Sequence, residues 1–198
     1  MLPQVIILNG TGSAGKTSIA KILQEILPVQ YLNFSIDSVL YALPPSDLQK
    51  MMRGETIDRE GYHFPDLVTG FHRCLPALLG AGCRLLIDNA WVEDGEKQEL
   101  LRELAPYDVF LVGVHCDLDV ACARERARGD RAIGLARWQH PLVHRAMHYD
   151  LVVDTSAQSP AAAARQICTA LPNARKQNGA LHASLSAITA ARSQGEAQ

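Results

Sequence analysis

Residues 7 to 18, ILNGTGSAGKTS, place glycines, one lysine and two hydroxyl side chains at a spacing that suits phosphate binding. Gly10, Gly15, Lys16 and Thr17 match the pattern G-x-x-x-x-G-K-[ST] between an apolar run and a helical pattern. Glycines let the backbone turn tightly and aim successive N–H groups at phosphate oxygens, and the following helix adds its positive N-terminal end. The pattern predicts a nucleotide-phosphate loop. The alternative is a glycine-rich turn whose lysine points to solvent.

Two positions in and after this loop are predicted to act on the phosphates and on Mg²⁺. Lys16 is expected to reach the β and γ phosphates of ATP, and the hydroxyl of Thr17 is expected to bind Mg²⁺. The predicted nucleotide-binding residues are Gly10, Thr11, Gly12, Ser13, Ala14, Gly15, Lys16, Thr17 and Ser18. Asp88 ends the apolar run RLLID and is the second predicted Mg²⁺ residue, although an aspartate after a strand often only caps a helix.

The acceptor side of such a site needs a base, and Asp37 in FSIDSVL is the candidate. The chain lacks the N-K-x-D element of a GTPase and the L-S-G-G-Q element of a transporter ATPase, which leaves a small kinase. If the second strand lies beside the strand before the phosphate loop, the Asp37 carboxylate faces the γ-phosphate and can take a hydroxyl proton. The alternative is that Asp37 caps the short helix that follows it.

Arginines concentrate between residues 124 and 148, and we expect this segment to be a lid over the transferred phosphoryl group. Arg124 and Arg128 fall on one helical face, and Arg131 follows a Gly-Asp turn. Arg126 lies on another face, so the spacing indicates that not all of these arginines can neutralise charge during transfer. The alternative is a solvated helix surface on which the arginines pair with Glu125.

Three histidines recur every four residues in HPLVHRAMH, at positions 140, 144 and 148. This spacing can bind a metal on a helix, but the chain has no H-E-x-x-H motif and no C-x-x-C pair. We therefore favour one histidine-bearing helix face near the lid.

The alternation of apolar runs with helical patterns predicts an α/β fold. The apolar runs are VIIL (5–8), YLNFSI (31–36), RLLI (84–87), VFLVGV (109–114) and LVV (151–153). The helical patterns cover residues 18–26, 67–79, 96–104, 119–128 and 161–171. Runs that are apolar throughout indicate a doubly wound parallel sheet covered on both faces. Ligands bind such sheets beyond the carboxyl ends of the strands, where this chain carries polar residues.

The domain organisation follows from these elements. Residues 1–172 are predicted to form a P-loop kinase domain, in which 43–65 is a partly irregular substrate flap and 124–148 is the arginine-rich lid. Residues 173–198 are rich in Ala, Ser and Gln and are expected to be a peripheral or flexible tail. Within the tail, three apolar residues could line one weak helical face: Leu181, Leu185 and Ile188.

Composition excludes several classes of partner. The chain has 198 residues and a net charge of −2, with no broad basic surface for nucleic acid. No run approaches the ~18 apolar residues that a membrane helix needs. We expect a soluble cytoplasmic protein with free thiols, no membrane contact and a small-molecule hydroxyl acceptor as its partner. A homo-oligomer is compatible with the sequence, which leaves the oligomeric state open.

The chain resembles the chloramphenicol phosphotransferases, P-loop enzymes that phosphorylate the antibiotic's primary hydroxyl from ATP. The resemblance rests on the phosphate loop, on FSIDS around Asp37, and most of all on ARGDRAIGLARWQ and VHRAMHYDLVVDT. It implies a nucleoside monophosphate kinase-like fold with a five-stranded parallel sheet. It also implies Asp37 as general base, Lys16 and Thr17 as ATP and Mg²⁺ residues, and Arg128 and Arg131 as lid arginines.

Two departures from the family pattern concern the acceptor. The stretch 44–64 differs from it, and Asn89 stands where the family has an acidic residue. The acceptor is thus chloramphenicol or another hydroxylated small molecule. Two alternatives stay open, namely a zeta-toxin-like kinase of a sugar nucleotide and a non-catalytic ATP-binding regulator.

Overall fold

The computed structural model describes residues 2–128, 133–173 and 178–195. The strands are β1 (Val5–Asn9), β2 (Leu32–Asn33), β3 (Leu85–Asn89), β4 (Val109–His115) and β5 (Leu151–Asp154). The helices are α1 (Lys16–Ile26), α2 (Ile36–Leu40), α3 (Pro45–Met52), α4 (Phe64–Gly80), α5 (Asp94–Leu104), α6 (Leu118–Arg128), α7 (Leu135–Gln139), α8 (Pro160–Ala170) and α9 (Gly179–Gly195). Each apolar run of the sequence contributes one of the strands.

The sheet has five strands in the order β2-β3-β1-β4-β5, and each of its described strand pairs is parallel. β1 is central, and its last residue, Asn9, is in register with Asn89 of β3 and Gly113 of β4. The carboxyl ends of three strands therefore meet at one edge. The predicted five-stranded, doubly wound parallel sheet is confirmed.

Alternate residues of β1 face the two layers of helices. Ile6 and Leu8 pack into one apolar cluster with residues of α1 and α8, and Val5 and Ile7 pack into a second with residues of α4, α5 and α9. All four side chains are fully buried. A strand covered on both faces must be apolar at every position, which explains the continuous apolar runs. Within the described ranges no helix is both long enough and apolar enough to span a membrane.

Residues 179–195 differ from the peripheral tail expected from the sequence. They form α9, whose Leu181 and Ile188 are fully buried and whose Leu185 packs partly buried against the same cluster. Asn178 fixes the start of this helix, since its Oδ1 accepts from Val109 N (3.0 Å) and its Nδ2 donates to Tyr107 O (2.7 Å). A narrow apolar stripe is enough here, because the small residues around it let the helix lie close to α5 and β4.

The segment 43–65 combines helix α3 with an irregular stretch that leads to α4 at Phe64. Its fold is held by an ion pair between Arg59 and Asp47, and Asp47 is buried. A partly irregular insertion is what the sequence predicts for this segment. Its action as a substrate flap stays a prediction.

The expected histidine-bearing helix face at residues 140–148 is wrong. Helix α7 ends at Gln139 and turns follow, because Pro141 lacks an N–H group and cannot continue the helix. The buried Lys97 side chain instead donates to the carbonyls of Leu142 and Arg145, each at 3.0 Å. Among the described residues, no group of three or more His, Cys, Asp or Glu side chains could hold a metal ion.

Candidate active site

Residues 10–15 form a tight loop between β1 and α1. Gly15 has a φ of 89°, in the left-handed region that favours glycine, and Lys16 is the first residue of α1. Lys16 Nζ donates to the carbonyls of Gly10 and Thr11, each at 2.8 Å, so the loop wraps around its own lysine. A Cβ atom at Gly10 would lie 2.2 Å from Val114 O of β4, and only glycine fits there. The strand–loop–helix context that the phosphate-loop motif requires is present.

Two side chains from distant parts of the chain hold this loop in place. Gly12 N donates to Gln139 Oε1 (2.7 Å), and Thr155 Oγ1 donates to Ala14 O (2.8 Å). Both side chains are buried. Sequence analysis did not identify them, since they lie 127 and 141 residues from their partners. The one available signal was that Thr155 comes two positions after the apolar run 151–153.

Asn9 anchors the start of the loop through a directed set of hydrogen bonds. Its Nδ2 donates to Val143 O and to Tyr149 Oη, both at 2.8 Å, and its Oδ1 accepts from Trp91 N at 3.3 Å. Tyr149 Oη lies 2.7 Å from His144 Nδ1. Burial, and then nearby cationic groups, lower the pKa of His144 to about 3, and burial raises the pKa of Tyr149. The neutral His144 therefore accepts a hydrogen bond from the Tyr149 hydroxyl, and this pair supports Asn9 at the base of the loop.

A cavity of ≈ 400 Å³ opens beside the loop. The predicted catalytic and Mg²⁺ residues on its wall are Lys16, Thr17, Asp37, Asp88 and Arg128, and the loop residues Ser13, Gly15 and Ser18 line it as well. The catalytic and Mg²⁺ residues come from α1, α2, β3 and α6, so elements far apart in sequence bring the predicted phosphate residues and the predicted base to one cavity.

Asp37 reaches this cavity from the first turn of α2. The N-cap of α2 is Ser35, which forms a capping box with Ser38, and Ser35 N donates to Ser38 Oγ at 3.3 Å. The alternative in which Asp37 is the cap is therefore wrong. The expected position of its strand also needs correction, because β3 lies between β2 and β1. The role of Asp37 as base stays a prediction.

Asp88 lies inside β3 and is buried, with 8% of its surface exposed. Helix α5 is capped by Glu93, so Asp88 does not cap a helix. Its Oδ2 has no hydrogen-bond partner among the described residues. A buried, unpaired carboxylate oxygen in a cavity that also contains the Thr17 hydroxyl fits Mg²⁺, which prefers hard oxygen ligands and takes others from phosphate and water.

The lid segment is only partly described. Arg128 ends α6 and lines the cavity, whereas the predicted Arg131 lies outside the described residues. Arg124 donates instead to Thr155 O at 2.7 Å. Glu125 is buried and accepts from the backbone N–H groups of residues 134 and 136, each at 2.8 Å. The alternative of a solvated surface is therefore wrong for Glu125, which is buried, whereas Arg126 and Arg128 are exposed.

Two further acids on the cavity wall, Glu93 and Glu96, were not identified from the sequence. Burial, and then the charges of Glu93 and Glu99, raise the pKa of Glu96 to about 7. They follow β3 by only a few residues, and that position beyond a strand end was the signal available.

The strand order, the phosphate loop and the cavity at the carboxyl ends of the strands define a P-loop kinase. A family model described as "Chloramphenicol phosphotransferase-like protein" matches residues 3–172, and the chain belongs to this family. The resemblance expected from the sequence is thus confirmed, and the protein is a phosphotransferase.

Individual relatives agree with this assignment. The Mycobacterium tuberculosis protein named "Putative O-phosphotransferase Rv2636" is 30% identical, over 83% of this chain and 80% of its own length. A gluconokinase from Sinorhizobium meliloti 1021 superposes with a TM-score of 0.63 at 18% identity, over 87% of this chain and 93% of its own. The Mycobacterium tuberculosis APS kinase in complex with AMPPNP and APS superposes with a TM-score of 0.61 at 14% identity, over 86% of this chain and 98% of its own. At these identities the two structures show a shared fold.

Family and fold together indicate a nucleotide-using kinase that acts on a small-molecule acceptor.

Proposed function

We propose that the protein transfers the γ-phosphoryl group of Mg-ATP to a hydroxyl of a small molecule, chloramphenicol or a similar hydroxylated compound, and so inactivates an antibiotic. The single observation that carries the proposal is that Asp37 lines the same cavity as Lys16, Thr17 and Asp88. A phosphate cradle alone would suit many proteins, whereas a carboxylate on the acceptor side suits transfer to a hydroxyl. The family description supports the choice of acceptor.

The residues have distinct roles in this reaction. Backbone N–H groups of the loop and Lys16 bind the β and γ phosphates. Arg128 neutralises negative charge on the phosphoryl group during its transfer. Thr17 and Asp88 would hold Mg²⁺, which when bound offsets the negative charge of the phosphates. Asp37 takes the proton of the acceptor hydroxyl. The acceptor oxygen bonds to the γ-phosphorus as the bond to the bridging β–γ oxygen breaks, and ADP leaves.

The test is to incubate the full chain with Mg-ATP and a panel of hydroxylated antibiotics, metabolites and sugar nucleotides, and to analyse the products by mass. We expect chloramphenicol or a related alcohol to gain the mass of one phosphoryl group, with equivalent ADP. Lys16→Ala is the control. It removes the positive charge that is expected to contact the β and γ phosphates, so it should give no product.

Two other outcomes would contradict the proposal. Phosphorylation of sugar nucleotides alone would indicate a zeta-toxin-like kinase. ATP binding without transfer to any member of the panel would indicate an ATP-binding regulator.

A further inference from the structure

Glu93 and Glu96 give the acceptor side of the cavity an acidic wall at the start of α5. Glu93 is the N-cap of this helix and Glu96 is its third residue, so the two lie about one turn apart. The Glu93 side chain makes no capping hydrogen bond. Both residues line the cavity, so helix capping does not account for the acidic wall.

Nearby cations balance the acidic wall only in part, because the charge of Lys97 acts on both glutamates while its hydrogen bonds are made to other groups. The described residues that line the cavity include two basic side chains, Lys16 and Arg128. Both are assigned to phosphate in the proposed function. Lys97, the neighbour of Glu96 in sequence, turns away and its Nζ donates to Asp94 Oδ1 at 3.2 Å and to backbone carbonyls of the 142–145 turn. Burial is the largest cause of the raised pKa of Glu96, and the charge of Lys97 lowers that pKa only in part.

Buried polar atoms on the same cavity indicate a ligand independently of the acidic wall. Asn89 has 5% of its surface exposed and lines the cavity, and its Nδ2 has no hydrogen-bond partner within the described part of the chain. Asp88 Oδ2, next in sequence, is likewise unpaired there but is already assigned to Mg²⁺, so Asn89 carries this argument. Buried polar groups in proteins normally find partners, so a bound molecule is expected to supply them.

The remaining wall is apolar and partly open. Phe64 and Trp138 line the cavity with 43% and 53% of their surfaces exposed, and Leu40 and Val68 lie on the same wall. Large aromatic side chains exposed at a cavity favour contact with an apolar or aromatic body.

We propose that Glu93 and Glu96 select an acceptor that joins a hydroxyl and a protonated amine to an apolar body, and that they reject acceptors carrying a carboxylate or a phosphate. The inference rests on the proposed function and, within its substrate class, favours amine-bearing alcohols over chloramphenicol, whose amide nitrogen is not protonated. An ammonium group brought between the two carboxylates offsets their negative charge and donates charge-assisted hydrogen bonds to them. An anion would instead add like charge to a partly buried acidic wall, which costs affinity.

The test compares three small alcohols that share a phenyl ring: phenylalaninol with a protonated amine, neutral phenylpropanol, and phenyllactate with a carboxylate. Their affinities for the full chain are measured by ligand-observed NMR titration, with and without a non-hydrolysable ATP analogue. We expect phenylalaninol to bind roughly ten-fold more tightly than phenylpropanol, which corresponds to one charge-assisted hydrogen bond, and phenyllactate to bind weakest.

Variants assign the preference to the acidic wall. The double variant Glu93→Gln/Glu96→Gln should bring phenylalaninol to within about two-fold of phenylpropanol, since neutral amides lose the charge-assisted attraction. Glu103→Gln is the matched control, because it removes one charge from the exposed face of the same helix and should keep the preference. If the double variant does not fold, Glu93→Gln alone, at an exposed position, should still reduce the preference.

The proposal is overturned if phenyllactate binds as tightly as phenylalaninol, if the variants keep the amine preference, or if none of the three alcohols binds. Amine-selective binding without phosphoryl transfer from ATP would leave this inference standing and contradict only the proposed function.

Discussion

Gly10 is the residue at which the phosphate loop and the sheet come closest together. Replacing it by alanine would bring Cβ to 2.2 Å from Val114 O, an atom of strand backbone that cannot swing aside. We expect Gly10→Ala to lower the free energy of unfolding by about 3 kcal/mol, as overpacked sites do. Chemical denaturation measures this. Gly70→Ala is the control, since no atom lies within 4 Å of its added Cβ inside α4, and it should be neutral or stabilising.

Glu96 gives a prediction about pH. The pKa of this carboxyl is raised from 4.5 to about 7 on folding, so the native state holds the proton more tightly than the unfolded state. The associated stabilisation is complete below about pH 4.5 and is lost as the pH rises through about 7. Glu96→Gln cannot ionise, so its stability should fall less over this range, with an advantage at about pH 8 of at most about 3 kcal/mol. Parallel pH dependences of the two proteins in urea unfolding would contradict the assignment.

At the scale of elements, the strands were predictable because parallel strands buried on both faces must be apolar throughout. The length of the second strand was overestimated. The apolar run covers residues 31–36, but the strand includes only Leu32–Asn33, because Ser35 already begins the turn that caps α2. The prediction of a helix over the histidine segment was wrong because it relied on the four-residue spacing of the histidines. It did not take account of Pro141, which stops the helix.

The candidate site was predictable to the extent that its residues carry local patterns. The phosphate loop is one continuous motif, and Asp37 and Asp88 each follow or end an apolar run. Gln139 has no such pattern, and the position of Thr155 shortly after an apolar run does not reveal its role, because both act through contact with a loop more than a hundred residues away. Contacts of that kind are set by the order of strands in the sheet, which a single sequence does not encode locally.

Helix α9 leads to a prediction at the same scale. Leu181 is fully buried against the cluster that also contains residues of α4 and α5. Leu181→Ala should lower the free energy of unfolding by about 2–5 kcal/mol, through lost apolar burial and a residual cavity. His182→Ala, at the exposed neighbouring position, should change it by no more than about 0.5 kcal/mol. If both variants unfold with the parent, α9 contributes nothing to the core and the expectation of a peripheral tail was sound.

At the scale of the whole molecule, the strand order creates the site. β1 lies between β3 and β4, so the phosphate loop emerges beside Asp88 and against the backbone of β4. β2 lies one strand further out, and α2 starts close enough to its end to carry Asp37 into the same cavity. The fold thus separates the predicted phosphate residues from the predicted acceptor base, and both line one cavity.

The most direct test of the central claim is single-turnover phosphoryl transfer by Asp37→Asn, with the acceptor found in the product screen. Because Ser35 caps α2, an amide at position 37 should leave the thermal midpoint and ATP affinity close to those of the parent. Because the amide cannot take the hydroxyl proton, the transfer rate should fall by roughly 10² to 10⁴. Transfer at the parent rate, with midpoint and ATP affinity unchanged, would contradict the claim that Asp37 activates the acceptor.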